Sequence, residues 1–158
     1  MKYFTRELWA QVNDCDPQVC SYAEKRWREN DLCYSQQFEA VKKFLPNHFV
    51  KEFLRRGGLH DYAIKNVSVG QRGRNSFCEI YLINHAEELV LELSSLSAMC
   101  LDLQDMFYCG PHMLTWGYSE FDIYAEQHIS LNVLCDQHNE MFFAFKSIKL
   151  TVYNPARN

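Results

Sequence analysis

The spacing of the hydrophobic residues changes near residue 58, and this change limits the fold more than any other feature of the chain. Before it, apolar residues recur at intervals of three, four or seven, which is typical of amphipathic helices. After it, apolar and polar residues alternate, which is typical of strands with one buried face. Helices followed by strands of this kind predict an α+β protein.

The chain has 158 residues, enough for one domain with a sizeable core. Its hydrophobic fraction of 47% excludes a disordered chain. We therefore expect a single domain, 1–158, with a helical part at 1–58 and an antiparallel β part at 59–158.

Local start and stop signals predict three helices in the helical part, at about 6–12, 17–45 and 47–56. Thr5 is a good N-cap for the first helix. Asp16 followed by Pro17 is a start signal for the second, because proline is favoured at the first helical position. Gly57 and Gly58 end the third.

Six segments of the β part are rich in apolar residues or alternate with polar ones: 64–69, 77–82, 89–103, 118–124, 128–134 and 143–152. The first two flank a turn that contains glycine, which predicts a hairpin. This turn superficially resembles a phosphate-binding loop, but a strand rather than a helix follows it, so we expect a hairpin turn. We expect one antiparallel sheet of five or six strands.

Charge is distributed unevenly along the chain. Residues 1–58 have a net charge of +2, whereas 59–158 have a net charge of −6. The segment 75–145 contains no lysine or arginine and eleven acidic residues. This disfavours nucleic-acid binding through the β part, because phosphates require basic side chains. A basic protein partner would suit such an acidic surface, although simple solvation of a sheet face also explains the charges.

The sequence also favours a cytoplasmic location. Its N-terminus lacks the apolar core of a signal peptide, and apolar runs such as 141–145 are much shorter than a membrane helix. The seven cysteines are odd in number and form no Cys-x-x-Cys pair, which favours reduced thiols over a disulfide framework. The sequence does not fix the oligomeric state.

Two sets of residues have the composition of a metal site. The adjacent His60 and Asp61 could ligate a metal, or they could form local hydrogen bonds where the helical part meets the first strand. Two Cys-x-x-His pairs could together bind zinc, although a chain with seven cysteines and six histidines also produces such pairs by chance. These pairs are Cys109/His112 and Cys135/His138.

No motif identifies a catalytic residue, so neither a catalytic role nor a cofactor is assigned to any residue. The best candidate for a functional surface is instead the predicted strand 118–124 together with the aromatic segment that leads into it, where aromatic and acidic residues are concentrated. With the pair at the junction, the candidate binding residues are His60, Asp61, Trp116, Tyr118, Glu120, Asp122 and Tyr124.

The chain resembles an uncharacterised family of small bacterial proteins found mainly among bacilli. The resemblance rests on the opening 1–9, the helix end at Leu45-Pro46, the tripeptides at 59–61 and 116–118, and the closing strand at 143–152. It implies no activity and no catalytic residue. The layout is also similar, more loosely, to that of small bacterial immunity proteins, which neutralise toxins by binding them.

The leading hypothesis is a non-enzymatic cytoplasmic interaction module whose acidic, aromatic sheet surface binds a basic protein, such as a nuclease toxin. One alternative is a metal-dependent hydrolase or zinc-stabilised protein that uses His60 and Asp61 or the Cys-x-x-His pairs. Another is a small-ligand binder with a cleft between sheet and helix.

Overall fold

The structure is a computed structural model that describes residues 1–102, 113–136 and 139–153. Its helices are α1 (Arg6–Val12), α2 (Pro17–Val41) and α3 (Asn47–Arg55), with short 3-10 turns at Lys42–Phe44 and Gly57–Leu59. The predicted N-caps are confirmed. The Thr5 hydroxyl accepts a hydrogen bond from the Leu8 N–H, and the Asp16 carboxylate accepts one from the Gln18 N–H. The second helix is shorter than predicted, because the chain tightens into the 3-10 turn before Pro46.

The described residues form eight strands in two antiparallel sheets of four. The first sheet has the order β1-β2-β3-β8, and the second sheet has the order β4-β7-β6-β5. The strands are β1 (Ala63–Arg72), β2 (Asn75–Ile83), β3 (Glu88–Ser94), β4 (Ala98–Asp102), β5 (Trp116–Ala125), β6 (His128–Cys135), β7 (Glu140–Phe145) and β8 (Ser147–Tyr153). The predicted hairpin is confirmed as β1–β2, with Gly73 at its tip in the left-handed conformation that glycine tolerates.

The α+β class and the antiparallel strands are confirmed, but the prediction of one sheet of five or six strands is wrong. Two of the predicted segments each bend and cross from one sheet to the other. In the first, Ser95 has a φ of 56°, which ends β3 before β4 begins. In the second, Lys146 separates β7 from β8. The two bends lie side by side, and a hydrogen bond joins them: the Lys146 N–H donates to the Ser94 carbonyl at 3.1 Å.

The beginning of β1 lies beside the beginning of β5. The Asp61 N–H donates to the Trp116 carbonyl at 2.9 Å, and the Trp116 N–H donates to the Tyr62 carbonyl at 2.8 Å. The Ile64 N–H donates to the Leu114 carbonyl at 2.7 Å. These bonds bring the His60-Asp61 pair next to the Trp116–Tyr118 segment, about 55 residues later in the chain.

A single apolar cluster includes residues of α2, α3 and both sheets. Its helix-facing side is aromatic: the Phe121 ring of β5 lies 5.8 Å from Phe49 and 5.4 Å from Phe53, both on α3. Arg56, at the end of α3, pairs with Glu87 through two nitrogens, at 2.6 and 2.8 Å. This pair fastens α3 to the first sheet.

Among the described residues, none of the helices has the combination of length and apolar composition needed to cross a membrane.

Candidate functional site

Two cavities share Trp9 and Tyr118 in their walls, and we call them together the aromatic cleft. The first, of about 110 Å³, is also lined by His60, Asp61 and Asp136. The second, of about 320 Å³, lies where α1 and α2 meet β5. Its other lining residues are Val12, Glu24, Trp27 and Arg28. The cleft therefore joins the helical part to the β part.

The Tyr118 ring is the centre of the aromatic cleft. Its centroid lies 4.6 Å from that of Trp27 on α2 and 5.5 Å from that of Trp9 on α1. Phe4 stacks on it at 5.2 Å, and His60 meets it edge-on at 5.0 Å. Rings at these distances and angles attract one another and hold the wall of the cleft in place.

An irregularity in β5 aims Tyr118 into the cleft. The pairing of β5 with β6 shifts register between Trp116 and Tyr118. Gly117 occupies the shift, and a Cβ at this position would lie 2.6 Å from the Leu134 carbonyl oxygen. Only glycine therefore allows the two strands to approach so closely here. As a result Trp116 is fully buried in the core, whereas Tyr118 is half-buried at the cleft.

Carboxylates give the aromatic cleft a negative character. Asp61 is highly exposed and lies beside His60, with 2.9 Å between Asp61 Oδ1 and His60 Nδ1. Burial, together with the charges of Asp61 and Asp31, raises the pKa of Tyr118. The phenol is therefore uncharged at neutral pH, so the carboxylates rather than the ring supply the negative charge. A cavity lined by aromatic rings and carboxylates is suited to a cation.

Two of the candidate residues on β5 are not available to a partner. Trp116 is fully buried, and its indole N–H donates to the Ser119 hydroxyl at 2.8 Å. Glu120 is only 4% exposed, and its carboxylate accepts the backbone N–H groups of residues 2, 3 and 4, each at 2.7 Å. Glu120 thus holds the N-terminal segment, residues 1–5, on the sheet. We correct the predicted contact surface by removing both residues from it.

The other two candidates on β5 are exposed but lie outside the aromatic cleft. The Asp122 carboxylate accepts a hydrogen bond from the Ile123 N–H at 2.7 Å. Tyr124 is 51% exposed, and its ring lies 5.6 Å from that of Phe142. Glu120 and the N-terminal segment that it holds lie between these residues and Tyr118 along β5. Of the seven candidates, the structure thus brings together His60, Asp61, Trp116 and Tyr118.

Four basic side chains from outside the long segment without lysine or arginine pair with six of the ten carboxylates that the structure describes in it. The segment therefore presents fewer unpaired carboxylates than its sequence suggests. Arg72 pairs with Glu79 at 2.7 Å and with Glu92 at 3.2 Å. The remaining pairs are Arg56 with Glu87, Lys65 with Glu88, and Arg6 with both Asp102 and Glu140. At the aromatic cleft, the carboxylates of Asp61 and Asp136 pair with no lysine or arginine of the described residues.

Sequence reasoning missed Trp9, Trp27 and Asp136 as site residues. Trp9 and Trp27 occupy apolar positions of predicted helices, where packing into the core explains them equally well. Asp136 belongs to a predicted polar turn, and its carboxylate accepts the Thr115 N–H at 2.8 Å. The sequence contains no signal that these three residues approach Tyr118.

Among the described residues, the structure places no further ligand beside the candidate metal ligands. No group of three or more His, Cys, Asp or Glu side chains there is placed to hold a metal ion. Cys135 is buried, which raises the pKa of its thiol to about 12, so the thiol is protonated and packs as an apolar group. Its predicted partners Cys109, His112 and His138 lie outside the described residues.

Comparisons of the chain with known protein families, with curated proteins and with solved structures find no match in any of the three. The resemblance to a bacillar family and the looser similarity to immunity proteins therefore stay predictions.

Proposed function

We propose that the protein is a non-enzymatic binding module that takes an arginine or lysine side chain of a basic protein partner at the aromatic cleft. The observation that carries this proposal is the convergence of Tyr118 with Trp9, Trp27 and His60 beside the exposed carboxylate of Asp61. Trp9, Trp27 and Tyr118 come from two separate helices and a strand, and they meet only in the folded protein.

The chemistry of the cleft favours a cation over other ligands. A cation near an aromatic face gains about 0.5–1 kcal/mol at an exposed site and about 2 kcal/mol when it is desolvated. A nearby carboxylate adds to this attraction and also repels phosphate groups, which argues against a nucleic-acid ligand. Arg28, which also lines the second cavity, faces Glu24 at 3.6 Å, so it does not reverse the sign of the charge there.

A single cation site of this kind is weak, so the partner must contribute further contacts. Tyrosine and tryptophan are among the residues that most often dominate protein interfaces, because they bury a large area at a small entropy cost. We propose the cleft as the anchor of a larger interface. On the similarity to immunity proteins, we propose a basic toxin as the partner and the cytoplasm as the location.

A short arginine peptide tests the proposal directly. The probe is a glycine peptide with two arginines, and the control peptide carries citrulline, which has the same shape without the charge. The fluorescence of Trp9 and Trp27 reports binding, since both line the cleft. We expect saturable quenching by the arginine peptide and none by the citrulline peptide. Equal binding of both peptides would refute a cation site.

Matched variants locate the binding. We expect Tyr118→Leu and Asp61→Asn each to lower the affinity for the arginine peptide about fivefold, which corresponds to about 1 kcal/mol of binding free energy. Tyr124→Leu and Asp122→Asn make the same chemical changes outside the cleft and leave binding unchanged. A loss of the same size in the control variants would place the peptide elsewhere on the protein.

The metal-dependent alternative has a separate test. Within the described residues it retains His60 and Asp61 as candidate ligands, with no third ligand beside them. Elemental analysis of protein purified without an affinity tag measures bound metal. About one equivalent of a transition metal that is lost in His60→Ala would favour this alternative over the cation site.

A further inference from the structure

A groove of about 630 Å³ lies between α3 and β8, and we call it the edge groove. Four consecutive residues of β8, 149–152, line it. Side chains alternate between the two faces of a strand, so a groove that touches four residues in a row follows the edge of the strand rather than one of its faces. The opposite wall is one face of α3, which bears His48, Glu52 and Arg55.

The backbone along this edge of β8 has no partner among the described residues. β8 is the last strand in the order β1-β2-β3-β8, so it pairs with β3 alone. Within the described ranges, 147–153 form no other backbone hydrogen bond. The edge of β5 is different, because the Phe121 N–H donates to the Tyr34 hydroxyl of α2 at 2.9 Å. A strand edge with unpaired N–H and C=O groups is a template for a further strand.

Two carboxylates stand in the wall of the edge groove, and arginines hold both of them. Arg55 donates to Glu52 at 3.0 Å. The Arg56 side chain, which is 4% exposed, donates to Glu87 through two nitrogens, at 2.6 and 2.8 Å. It also donates to Glu52. The two arginines offset the two glutamates, so these pairs leave no net negative charge in the groove.

Lys149 supplies the charge that remains in the edge groove. Its side chain is exposed and forms no ion pair with another described residue. Glu92 lies opposite it on β3 but pairs with Arg72 at 3.2 Å. An acidic residue on a strand added beside β8 would lie opposite Lys149 on its other side and attract it. Pairing with a second copy of β8 about its middle would instead bring two Lys149 side chains next to each other, which is unfavourable.

We infer that the edge groove binds an extended acidic segment of a partner protein, which adds to the first sheet as a further strand beside β8. Main-chain hydrogen bonds to the strand edge supply affinity in this mode of binding, and alternate side chains supply specificity. An alternation of acidic and apolar residues fits both faces. The acidic side chains then lie on the face of Lys149, and the apolar ones lie on the face of Leu150 and Val152. This inference is independent of the cation site at the aromatic cleft.

Isothermal titration calorimetry with a capped peptide of three Glu-Val repeats tests the inference. One control peptide has three Lys-Val repeats, which reverse the charge. The other is the Glu-Val peptide methylated at every backbone nitrogen, which keeps the side chains and removes the N–H donors. We expect the Glu-Val peptide to bind with a Kd below about 1 mM and both controls to bind at least about tenfold more weakly. No heat of binding, or equal affinity for either control, would overturn the inference.

Charge reversal on β8 locates the peptide. We expect Lys149→Glu to weaken the Glu-Val peptide about fivefold and to strengthen the Lys-Val peptide. The control is Lys146→Glu, since Lys146 is also an exposed lysine but does not line the edge groove. It should leave the affinity for both peptides unchanged. Equal effects of the two substitutions would show a response to net charge alone, and the inference would fail.

Sedimentation analysis of the same samples tests for a second copy at the edge groove. We expect the Glu-Val peptide to bind without changing the oligomeric state of the protein. A dimer that has to dissociate before the peptide binds would assign the edge of β8 to a second copy and overturn the inference.

Discussion

The helices meet β5 at two places that are built from the same kind of side chain but differ in their access to water. Next to α3, the rings of Phe49, Phe53 and Phe121 are almost completely buried, and we call this the sealed contact. At the aromatic cleft, the rings of Trp9 and Tyr118 are only partly buried. Water is excluded from the sealed contact, whereas the aromatic cleft consists of two cavities.

The charges at the two places differ in the same way. Beside α3, the Arg56 side chain is 4% exposed, and it is paired with both Glu87 and Glu52. At the aromatic cleft, Asp61 is 82% exposed and has only His60 as a neighbour within pairing distance among the described residues. A buried charge that loses its partner destabilises a fold strongly, while an exposed carboxylate beside aromatic rings remains able to bind. We therefore expect the sealed contact to contribute most to stability, and we propose binding at the aromatic cleft.

The largest expected effect is that of removing a ring from the sealed contact. Phe121→Ala deletes a side chain with no exposed area and leaves a cavity against α3. We expect it to lower the free energy of unfolding by about 4 kcal/mol. Tyr118→Ala in the aromatic cleft should cost less than half as much, because its ring is already partly hydrated. Urea unfolding measures both, and equal losses would contradict the comparison.

A smaller effect follows from breaking the ion pair at the end of α3. Glu87→Ala leaves the buried Arg56 with Glu52 alone, and we expect a loss of about 3 kcal/mol in urea unfolding. The control is Glu88→Ala, which removes an exposed partner of Lys65 at 3.5 Å. This change should cost less than about 0.5 kcal/mol. Similar values for these adjacent residues would show that burial does not decide the strength of the pair.

Removing the Glu120 carboxylate, which holds the N-terminal segment, should lower the free energy of unfolding by less than Glu87→Ala does. Glu120→Ala removes the acceptor of three backbone N–H groups. We expect a loss of about 2 kcal/mol, since the segment can detach and its amides can bond to water instead. Hydrogen exchange should accelerate at Tyr3 and Phe4. Asp122→Ala, two residues along β5, should leave this exchange unchanged. Slow exchange in Glu120→Ala would mean that other contacts hold the segment.

The smallest effect is a pH dependence of the ion pairs at the end of α3. Arg56 lowers the pKa of Glu87 in the folded protein, and Arg56 and Arg55 lower the pKa of Glu52 to about 2. Both carboxylates have a pKa near 4.5 in the unfolded chain, which therefore binds protons more readily than the folded protein. Their stabilisation is complete above this value and is lost as the pH falls towards 2.

The difference in unfolding free energy between the wild type and Glu87→Gln measures this linkage. We expect the difference to be constant above about pH 5 and to shrink below it, as Glu87 of the wild type takes up a proton. A difference that stays constant down to about pH 2.5 would exclude the linkage.

Much of the helical part was predictable because its signals are local. The Thr5 and Asp16 caps act on amide groups two or three residues away, so they can be recognised without knowing the tertiary structure. The strands were predictable from alternation for the same reason. The bends at Ser95 and Lys146 were not, because neither position carries the glycine or proline that usually marks an interruption.

The candidate site was predictable only in part. Tyr118 and the His60-Asp61 pair were identified, but a regular strand would have placed Trp116, Tyr118 and Glu120 on one exposed face. The register shift at Gly117 instead places Trp116 in the core and Tyr118 at the aromatic cleft. The N-terminal segment covers Glu120, whose carboxylate accepts its backbone N–H groups. Neither feature leaves a pattern in the residues nearby.

The sequence by itself determined the α+β class, the order of helices before antiparallel strands, and the first residues of the helices, because these follow from interactions over a few residues. Tertiary structure decided which charges are neutralised and which rings meet. Arg6 and Glu140 are 134 positions apart, yet they form an ion pair at 2.9 Å. This pair partly neutralises a carboxylate of the segment 75–145, which has no lysine or arginine of its own. Ion pairs and ring contacts depend on distances in space, so the number of charged or aromatic residues along the sequence cannot reveal them.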